Sequence, residues 1–343
     1  MKRLDQRATS YDVARLAGVS QSAVSRCFSA GASISLRTRT KVEAAAHRLG
    51  YQPNALARSL ITERSGLIGF IVTDRTLHGS PQIVHDLCDR LRAANLMPLF
   101  NTISDEGAVG DLVPRILGYR PEAILSLATV GHASIDAAAR QGVPVVLVNR
   151  RAPDDTAAIS IGCNQAQGIQ DLTWRLVSAG HRRLAFIAGP KRAPVSEERL
   201  DGFRTAMRDA QLTAVDVVHA DYAYAGGRAA ALEVMHHRPA PDALVCANDA
   251  MAIGALDACR FDLGLAVPTA VSITGFDDIA ESSHPTNGLT TVRQPTAAIA
   301  DHVVAGFKAL FDGVENAHLS RRFDGLIVDR TSARLGPPRR PAG

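Results

Sequence analysis

The 343-residue chain lacks the sequence features of a membrane or secreted protein. It contains no uninterrupted run of about 18 apolar residues, so a membrane-spanning helix is not expected. Its charged start, MKRLDQRAT, has no apolar stretch of the kind that forms the core of a signal peptide. We therefore expect a cytoplasmic protein with no membrane partner.

Cysteine is scarce and is not arranged in a motif. The five cysteines are odd in number, widely spaced and contain no CxxC, which argues against a disulfide framework and against a zinc site. They are expected to be small buried apolar residues. No metal ion or other cofactor is predicted. The five are Cys27, Cys88, Cys163, Cys246 and Cys259.

The common signatures of enzymes are also missing. There is no GxxxxGK[ST], no GxGxxG after the first predicted strand, no GxSxG and no HExxH. His181 has no acid or cysteine close to it in the sequence and is assigned to the turn before a strand. The GGR at 226–228 is a weak phosphate-loop pattern and fits the start of a helix better. An enzyme is not expected.

Residues 9–28 predict two short helices joined by a tight turn. Thr9 is a good N-cap, with Asp12 placed to complete a capping box, Gly18 suits the turn, and Ser20 caps the second helix. Apolar residues recur at helical spacing behind each cap and predict a buried face. They are Val13, Leu16, Ala17, Val19, Ala23, Val24 and Phe28.

The second helix has a polar outer face beside its cap, Ser20. Gln21, Ser22, Ser25 and Arg26 are hydrogen-bonding side chains of a size suited to base edges and phosphates. A helical hairpin with a solvated polar face would show the same pattern.

A third helix follows, capped by Ser33 or Ser35 and ended by Gly50. Its predicted buried stripe is Val42, Ala45, Ala46 and Leu49. The segment after it begins at Pro53, is rich in Ala and Leu, and is too short to fold without a partner or ligand.

Positive charge is concentrated in this region. Residues 1–64 contain 11 Lys or Arg against 4 Asp or Glu, a net charge of +7, whereas the rest of the chain carries −3. Arg37, Arg39 and Lys41 flank the paired helices, and we expect phosphate contacts from them rather than a merely solvated face.

From residue 66 the chain alternates short apolar runs with helical segments. The runs GLIGFIV, MPLF, AILSL, PVVLV, AISI, LAFIA, ALVC and VSIT predict buried parallel strands. The fold class is therefore α/β, a doubly wound architecture long enough for two similar lobes, with a ligand site where the strands end. This fold alone would also suit a solute-binding protein, a nucleotide-binding enzyme or a dehydrogenase.

Residues 11–28 and 38–60 contain the YDVA opening, the AGVS turn, VSR and YQPN. Over some sixty residues that include these two runs, the chain resembles the DNA-binding headpiece and hinge of the lac repressor (LacI/GalR) family of bacterial transcription regulators. The resemblance implies a three-helix helix-turn-helix headpiece with a hinge helix, then a two-lobed, periplasmic-binding-protein-like domain. The implied DNA-binding domain is residues 1–62, with the hinge at about 53–61, and the implied effector-binding domain is residues 65–343. Within the second domain, one lobe covers about 65–162 and 292–322, and the other covers about 163–290 and 323–337. Residues 338–343 are expected to form a disordered tail.

By this resemblance, Gln21, Ser22 and Arg26 read the major groove of double-stranded DNA. The hinge, which starts near Asn54, places Ala57 and Leu60 in the minor groove, where a leucine acts as a wedge between base steps. An ordinary linker residue is the alternative role for Leu60. Because such a hinge works as a symmetric pair, a homodimer on a palindromic operator is expected.

The resemblance also places an effector site between the lobes. The runs SEERLDGFRTAM, ALVCANDAMAIGAL and VSITGFDD are similar to family elements that contribute polar groups, although Val195 stands where the family offers a small hydroxyl. Arg199 could instead pair with a neighbouring acid, and Asp277 or Asp278 could cap a helix. The implied effector-binding residues are Thr73, Asp74, Asn149, Arg199, Tyr222, Asn248 and Asp277.

We therefore expect a transcriptional regulator, a repressor, whose affinity for DNA is altered by a small molecule such as a sugar. The alternative is a sugar- or solute-binding protein whose N-terminal region is accessory. An enzyme such as a sugar kinase is a third possibility, and the absence of a phosphate loop argues against it.

Overall fold

The structure is a computed structural model that describes residues 8–28, 32–52, 64–314 and 319–338. The chain forms two compact units, Met1–Ser65 and Gly66–Gly343. The predicted hinge at 53–61 and residues 339–343 of the predicted tail lie outside the described residues.

The first unit is a bundle of three short helices. They are α1 (Ser10–Ala17), α2 (Gln21–Cys27) and α3 (Leu36–Leu49). Thr9 and Asp12 form the predicted capping box, Ser20 caps α2, and Ser35 rather than Ser33 caps α3. Gly18 ends α1 in the left-handed conformation that the tight turn requires.

The core of this bundle is narrower than the sequence predicts. Its buried residues are Val13, Ala14, Ala23, Val24, Cys27, Val42, Ala45 and Ala46. Leu16 and Leu49 were expected on the buried faces but are 43% and 37% exposed. Three short helices meet along a narrow seam, so apolar side chains at the edges of each stripe remain in contact with water.

The second unit contains two parallel sheets and their helices. Up to residue 163 its elements are β1 (Leu67–Thr73), α4 (Asp74–Gly79), α5 (Pro81–Ala93), β2 (Met97–Ile103), α6 (Val109–Leu117), β3 (Ala123–Ser126), α7 (His132–Ala139), β4 (Val145–Val148) and β5 (Ile159–Cys163). Next come α8 (Gln165–Ser178), β6 (Leu184–Ala188), α9 (Pro194–Asp209), β7 (Val217–His219), α10 (Tyr224–Val234), β8 (Ala243–Cys246), α11 (Asp249–Asp257) and β9 (Ser272–Thr274). The last are β10 (Thr291–Arg293), α12 (Thr296–Phe311), β11 (Arg321–Phe323) and β12 (Leu326–Val328).

Each sheet forms the centre of one lobe. The six strands of the N-lobe lie in the order β11-β5-β4-β3-β1-β2, and the four strands of the C-lobe lie in the order β7-β6-β8-β9. All pairings within these two sheets are parallel. The antiparallel pair β10–β12 lies in the chain between the lobes. The predicted doubly wound α/β fold is confirmed.

One predicted buried strand lies at a sheet edge. β2 pairs only with β1, and its Met97 and Phe100 are 66% and 42% exposed. The run MPLF therefore does not form a fully buried strand, because one side of an edge strand has no neighbour to cover it. By contrast β3, β4 and β8 are buried along their whole length.

The topology brings the carboxyl ends of both sheets to the same region of the second unit, where loops carry polar side chains. Ligands of open α/β folds bind at this edge. Among the residues that the structure describes, no helix has both the length and the apolar character needed to cross a bilayer.

Candidate functional site

A cavity of about 330 Å³ lies between the two lobes of the second unit. Its walls are loops that follow the strands: Thr73 ends β1, Asn149 follows β4, Tyr222 follows β7, and Asp277 follows β9. Both lobes therefore contribute polar groups to one cleft of a size suited to a small metabolite.

The polar centre of the cavity is an ion pair. Arg199, on α9, donates from Nη2 to Oδ1 of Asp277 at 2.8 Å and from Nε to Gln165 at 2.9 Å. It also donates to the carbonyl of Ala247, and its guanidinium carbon lies 3.9 Å from the ring centroid of Phe276. These contacts fix the guanidinium while leaving part of its donor fork unused. Its neighbours in sequence, Glu197, Glu198 and Asp201, are not its partners.

Two glutamines extend this centre to the N-lobe. Gln294 donates to Asp277 Oδ1 at 2.7 Å and accepts from Nδ2 of Asn149 at 2.9 Å. Gln165 lies within 3.4 Å of both Asn149 and Gln294 and accepts from Arg199. A continuous hydrogen-bond network thus runs from Asn149 in the N-lobe to the Arg199–Asp277 pair in the C-lobe.

Neither glutamine was predicted from the sequence. Gln165 begins α8 and Gln294 follows β10, and both lie in the connections between the lobes. No motif marks them, and no sequence signal identified either one.

The carboxyl group of Asp277 is buried, which raises its pKa, while the Arg199 guanidinium and the Gln294 amide act in the opposite direction. The ion pair and its hydrogen bonds favour the charged form, which a ligand hydroxyl can then meet as a donor.

Asn248 and Tyr222 line the cavity from the C-lobe. Asn248 caps α11 by accepting from the amide of Met251, and it donates to the carbonyl of Tyr222 at 3.0 Å. The Tyr222 hydroxyl is buried, and among the described residues only the Ser196 hydroxyl lies close to it as a hydrogen-bond partner. Its ring packs so closely on Gly189 that a β-carbon there would lie 2.2 Å from a ring atom.

Thr73 and Asp74 differ in placement. Thr73 is buried, lines the cavity and caps α4. Asp74 is exposed and is not part of the cavity wall, because it is the first residue of α4 and extends outwards. Of the seven residues that the sequence suggested, the structure therefore brings all but Asp74 together.

Three of these residues have unusual backbones. Asn149, Tyr222 and Asp277 have φ values of 52°, 68° and 116°. Non-glycine residues seldom occupy this region, and such strain is concentrated at functional sites. Each of the three side chains is thereby turned at the end of a strand into the cavity.

A second ion pair lines the N-lobe wall. Arg150 donates to Glu106 at 2.9 Å, and the amide of Thr129 also donates to Glu106. Burial opposes ionisation, but Arg150 and the Thr129 amide outweigh it and lower the pKa of Glu106. Neither member of this pair was predicted, because 44 residues separate them in the sequence.

The polar face predicted for α2 is present in the first unit. Ser20, Gln21, Ser22, Ser25 and Arg26 are all exposed. Ala23, Val24 and Cys27, from the same helix, are buried against α1 and α3, which fixes the orientation of the exposed face.

The basic residues beside this face do not behave alike. Arg37 and Lys41 are exposed. Arg39 donates to the carbonyl of Cys27 at 3.1 Å, so it also holds the end of α2. Asn54, Ala57 and Leu60, the predicted hinge contacts, lie outside the described residues.

His181 does have an acidic partner, contrary to the sequence prediction. Its Nδ1 lies 3.2 Å from Asp242, and its Nε2 lies 3.0 Å from the hydroxyl of Ser272. His181 and Asp242 precede β6 and β8, and Ser272 is the first residue of β9, so all three lie at the opposite sheet edge from the cavity. Ser272 is fully buried and accepts from the amide of Arg334, and Asp242 accepts from the amide of Arg182. The hydrogen bonds of His181, Asp242 and Ser272 therefore connect the turns at this edge of the C-lobe sheet.

Four of the five cysteines are buried as predicted, but Cys88 is only half-buried. All five are free thiols, and burial raises the pKa of Cys163 to about 12. Across residues 8–28, 32–52, 64–314 and 319–338, no three His, Cys, Asp or Glu side chains are placed to hold a metal ion.

Comparisons with known proteins cover both units. Residues 9–54 match the bacterial regulatory proteins of the lacI family, and residues 173–333 match the periplasmic binding protein-like domain. The ribose operon repressor of Escherichia coli (strain K12) is 35% identical over 295 residues, which are 84% of this chain and 88% of that protein. The lactose operon repressor of the same strain is 30% identical over 291 residues, 83% of this chain and 80% of that protein.

A solved structure agrees with these matches. The lac repressor dimer, crystallised with operator and the anti-inducer ONPF, has a TM-score of 0.85 and 28% identity, and covers 95% of this chain and 99% of that chain. The interpretation as a regulator is therefore favoured over a solute-binding protein with an accessory N-terminus. The chain belongs to the lacI family of bacterial regulatory proteins, DNA-binding transcriptional repressors in which a helix-turn-helix unit precedes a periplasmic-binding-protein-like domain.

Proposed function

We propose that the affinity of this repressor for its operator is controlled by a small sugar or sugar-like metabolite bound in the cavity between the lobes. One observation carries the proposal. The cavity is lined by Thr73, Asn149, Arg199, Tyr222, Asn248 and Asp277, which the sequence had suggested as the effector site. Carboxylate, guanidinium and amide groups suit the paired donors and acceptors of sugar hydroxyls.

DNA recognition is assigned to residues 1–62. The exposed face of α2 would enter the major groove, with Gln21, Ser22 and Arg26 at base edges and Ser20 and Ser25 near the backbone. The segment from Asn54 through Ala57 to Leu60 would contact the minor groove. Residues 65–343 would bind the effector and a second subunit, with the lobes divided at about 162, 290 and 322.

A homodimer is part of the proposal. Exposed apolar side chains occur on both lobes, at Met97 and Phe100 of β2 and at Phe261, which is 79% exposed. Large apolar side chains at a surface often mark a protein interface. A relative of this chain was crystallised as a dimer bound to operator. Two copies would present their helix-turn-helix units to two half-sites of a palindrome.

We assign no catalytic role to this chain and place it in the cytoplasm, where operator DNA is found. The Ser272–His181–Asp242 arrangement favours no hydrolase, because the serine is fully buried and already hydrogen-bonded. A nucleophile needs access to its substrate.

Genome-wide mapping of the full-length protein on DNA tests the function. We expect a small number of sites that share a palindromic sequence, and reduced occupancy or increased occupancy of those sites when the effector is supplied. Binding without any shared sequence, or occupancy that no metabolite changes, would contradict the proposal.

A further inference from the structure

The charged side chains that line the cavity are not balanced. In each of two ion pairs, Arg199–Asp277 and Arg150–Glu106, the positive and the negative charge cancel. The remaining charges of the wall are three cations and one acid, and none of these forms an ion pair within the described part of the chain. They are Arg75, Lys191, Arg192 and Asp105. The wall therefore has an excess of positive charge that faces the space where an effector would bind.

Arg75 is held at the cavity without using its donors. It lies on α4 of the N-lobe, and its guanidinium carbon is 5.9 Å from the ring centroid of Tyr222 in the C-lobe. The face of an aromatic ring attracts a cation but accepts no conventional hydrogen bond from it. The N–H groups of Arg75 are thus available to an anion between the lobes.

The opposite wall is the start of a long helix. Lys191 and Arg192 lie in the loop that leads into α9, whose N-cap residue, Ala193, has no side chain that could accept from the first amides. The open end of a helix leaves unpaired N–H groups and a partial positive charge, which together favour an anion. Val195, where the family offers a hydroxyl, adds no acceptor at this end, and the one carboxylate of the first turn, Glu197, is exposed and accepts from the amide of Arg192 at 3.3 Å.

A pair of buried hydroxyls lies beside the cavity. Tyr222, which lines the cavity, and Ser196, in the first turn of α9, lie close enough for their hydroxyl groups to interact, and neither has another hydrogen-bond partner among the described residues. Buried polar atoms normally use their hydrogen-bonding capacity. When one hydroxyl donates to the other, one donor remains, and an anionic oxygen would accept from it.

We propose that the effector is an anionic sugar derivative, whose phosphate or carboxylate group lies between Arg75, Arg192 and the N-terminus of α9. Its hydroxyl groups would then reach Arg199 and Asp277 on the cavity floor. This inference rests on the proposed function of the cavity and narrows the chemical class of its ligand. Phosphate esters and sugar acids share the required charge.

The test uses the full-length protein and matched sets of compounds: D-glucose, D-glucose 6-phosphate and D-gluconate, and D-ribose, D-ribose 5-phosphate and D-ribonate. Binding is measured by calorimetry and by the shift in unfolding temperature, at constant ionic strength. We expect an anionic member to bind at least tenfold more tightly than its neutral counterpart. Comparison of the sugar phosphates with the sugar acids shows whether the protein binds a phosphate or a carboxylate group.

Substitutions of Arg75 and Arg192 test where the anionic group binds. Arg75→Gln and Arg192→Gln should each weaken binding of the anionic compound at least tenfold. Arg115→Gln, at an exposed arginine of α6 outside the cavity, should leave it unchanged. Equal effects of all three substitutions would place the anion elsewhere and overturn the inference.

The outcomes also separate this inference from the proposed function. A neutral sugar that binds as tightly as its anionic derivatives, or a panel in which no anion binds, overturns the inference. If a neutral sugar also changes operator affinity, the proposed function stands. Failure of the protein to recognise any DNA sequence would contradict the proposed function, whatever the cavity binds.

Discussion

Arg199 and Asp277 form a buried ion pair, with 2.8 Å between Nη2 and Oδ1 and side chains that are 4% and 6% exposed. The pair has two roles: it would contact the effector, and it connects helix α9 to the loop that follows β9. Removing Arg199 and removing Asp277 are therefore expected to lower the stability of the protein by different amounts. Arg199 has no way to become neutral, whereas the pKa of Asp277 is raised by burial, so the carboxyl group can take up a proton if its partner is lost.

We predict that Asp277→Ala lowers the free energy of unfolding by about 3–5 kcal/mol, since it leaves an unpaired buried cation. Arg199→Ala should cost less. Urea unfolding of the ligand-free protein measures both. Arg204→Ala on the same helix is the control, because its pair with Asp201 is largely exposed and is worth at most about 1 kcal/mol. Equal losses for Asp277→Ala and Arg204→Ala would contradict this account.

Gln294 is predicted to connect the effector site to the N-lobe. Gln294→Ala removes an acceptor from Asn149 and a donor from Asp277, and an unsatisfied buried polar group costs about 1–3 kcal/mol. We expect this loss in unfolding experiments, together with an effector-dependent change in operator affinity at least fivefold smaller than in wild type. The control is Gln167→Ala, whose amide donates to Asp171 at 2.7 Å on the surface of α8. An unchanged effector response in Gln294→Ala would show that Gln294 does not couple effector binding to operator affinity.

The contrast between these residues shows what the sequence could predict. Strands such as β3, β4 and β8 were evident because buried parallel strands are continuous apolar runs. Arg199 and Asp277 lie in runs that resemble a known family. Gln294 and Asn149 are 145 residues apart and His181 and Asp242 are 61 apart, and no local pattern indicates that these pairs meet. The position of β2 at the edge of its sheet could not be predicted either, since the order of the strands depends on the topology of the whole sheet.

Gln21 is predicted to read a base. Within the described residues its amide makes one long contact, 3.4 Å to the hydroxyl of Ser10, so the side chain is available to a ligand. Gln21→Ala should weaken binding to the operator by about 1–3 kcal/mol and leave binding to random DNA nearly unchanged. Fluorescence anisotropy with both DNAs measures this. Arg37→Ala is the comparison: loss of a phosphate contact should weaken both complexes alike and reduce their salt dependence.

Leu60, outside the described residues, is predicted to wedge into the minor groove of the operator. This follows from the family resemblance of the PNALARSL segment. Leu60→Ala should weaken operator binding far more than non-specific binding and should reduce the DNA bend. Ala57→Pro should act in the same direction by preventing a helix. An unchanged bend angle and unchanged operator affinity in Leu60→Ala would show that the segment is only a linker.

Asp249 should make the stability of the second unit depend on pH. Its fully buried carboxylate accepts from Ser282 at 2.7 Å, from the amide of Ile279 at 3.0 Å and from Thr291 at 2.5 Å. It thereby ties the start of α11 to β10 in the crossing between the lobes. Burial, and then the nearby charge of Asp277, raise the pKa of Asp249 from 3.8 to about 7.

Because the pKa is higher in the folded state, the folded protein binds more protons than the unfolded chain between about pH 4 and about pH 7. The contribution of Asp249 to stability is therefore greatest at low pH and falls as the pH rises through this window. Asp249→Asn cannot titrate, and its cost from altered hydrogen bonding is the same at every pH. We predict that the free energy of unfolding of wild type, relative to Asp249→Asn, decreases by roughly 2–4 kcal/mol between pH 4.5 and pH 8. Urea unfolding of both proteins across this range measures the difference, and a difference that does not vary with pH would show that Asp249 stays ionised in the folded protein.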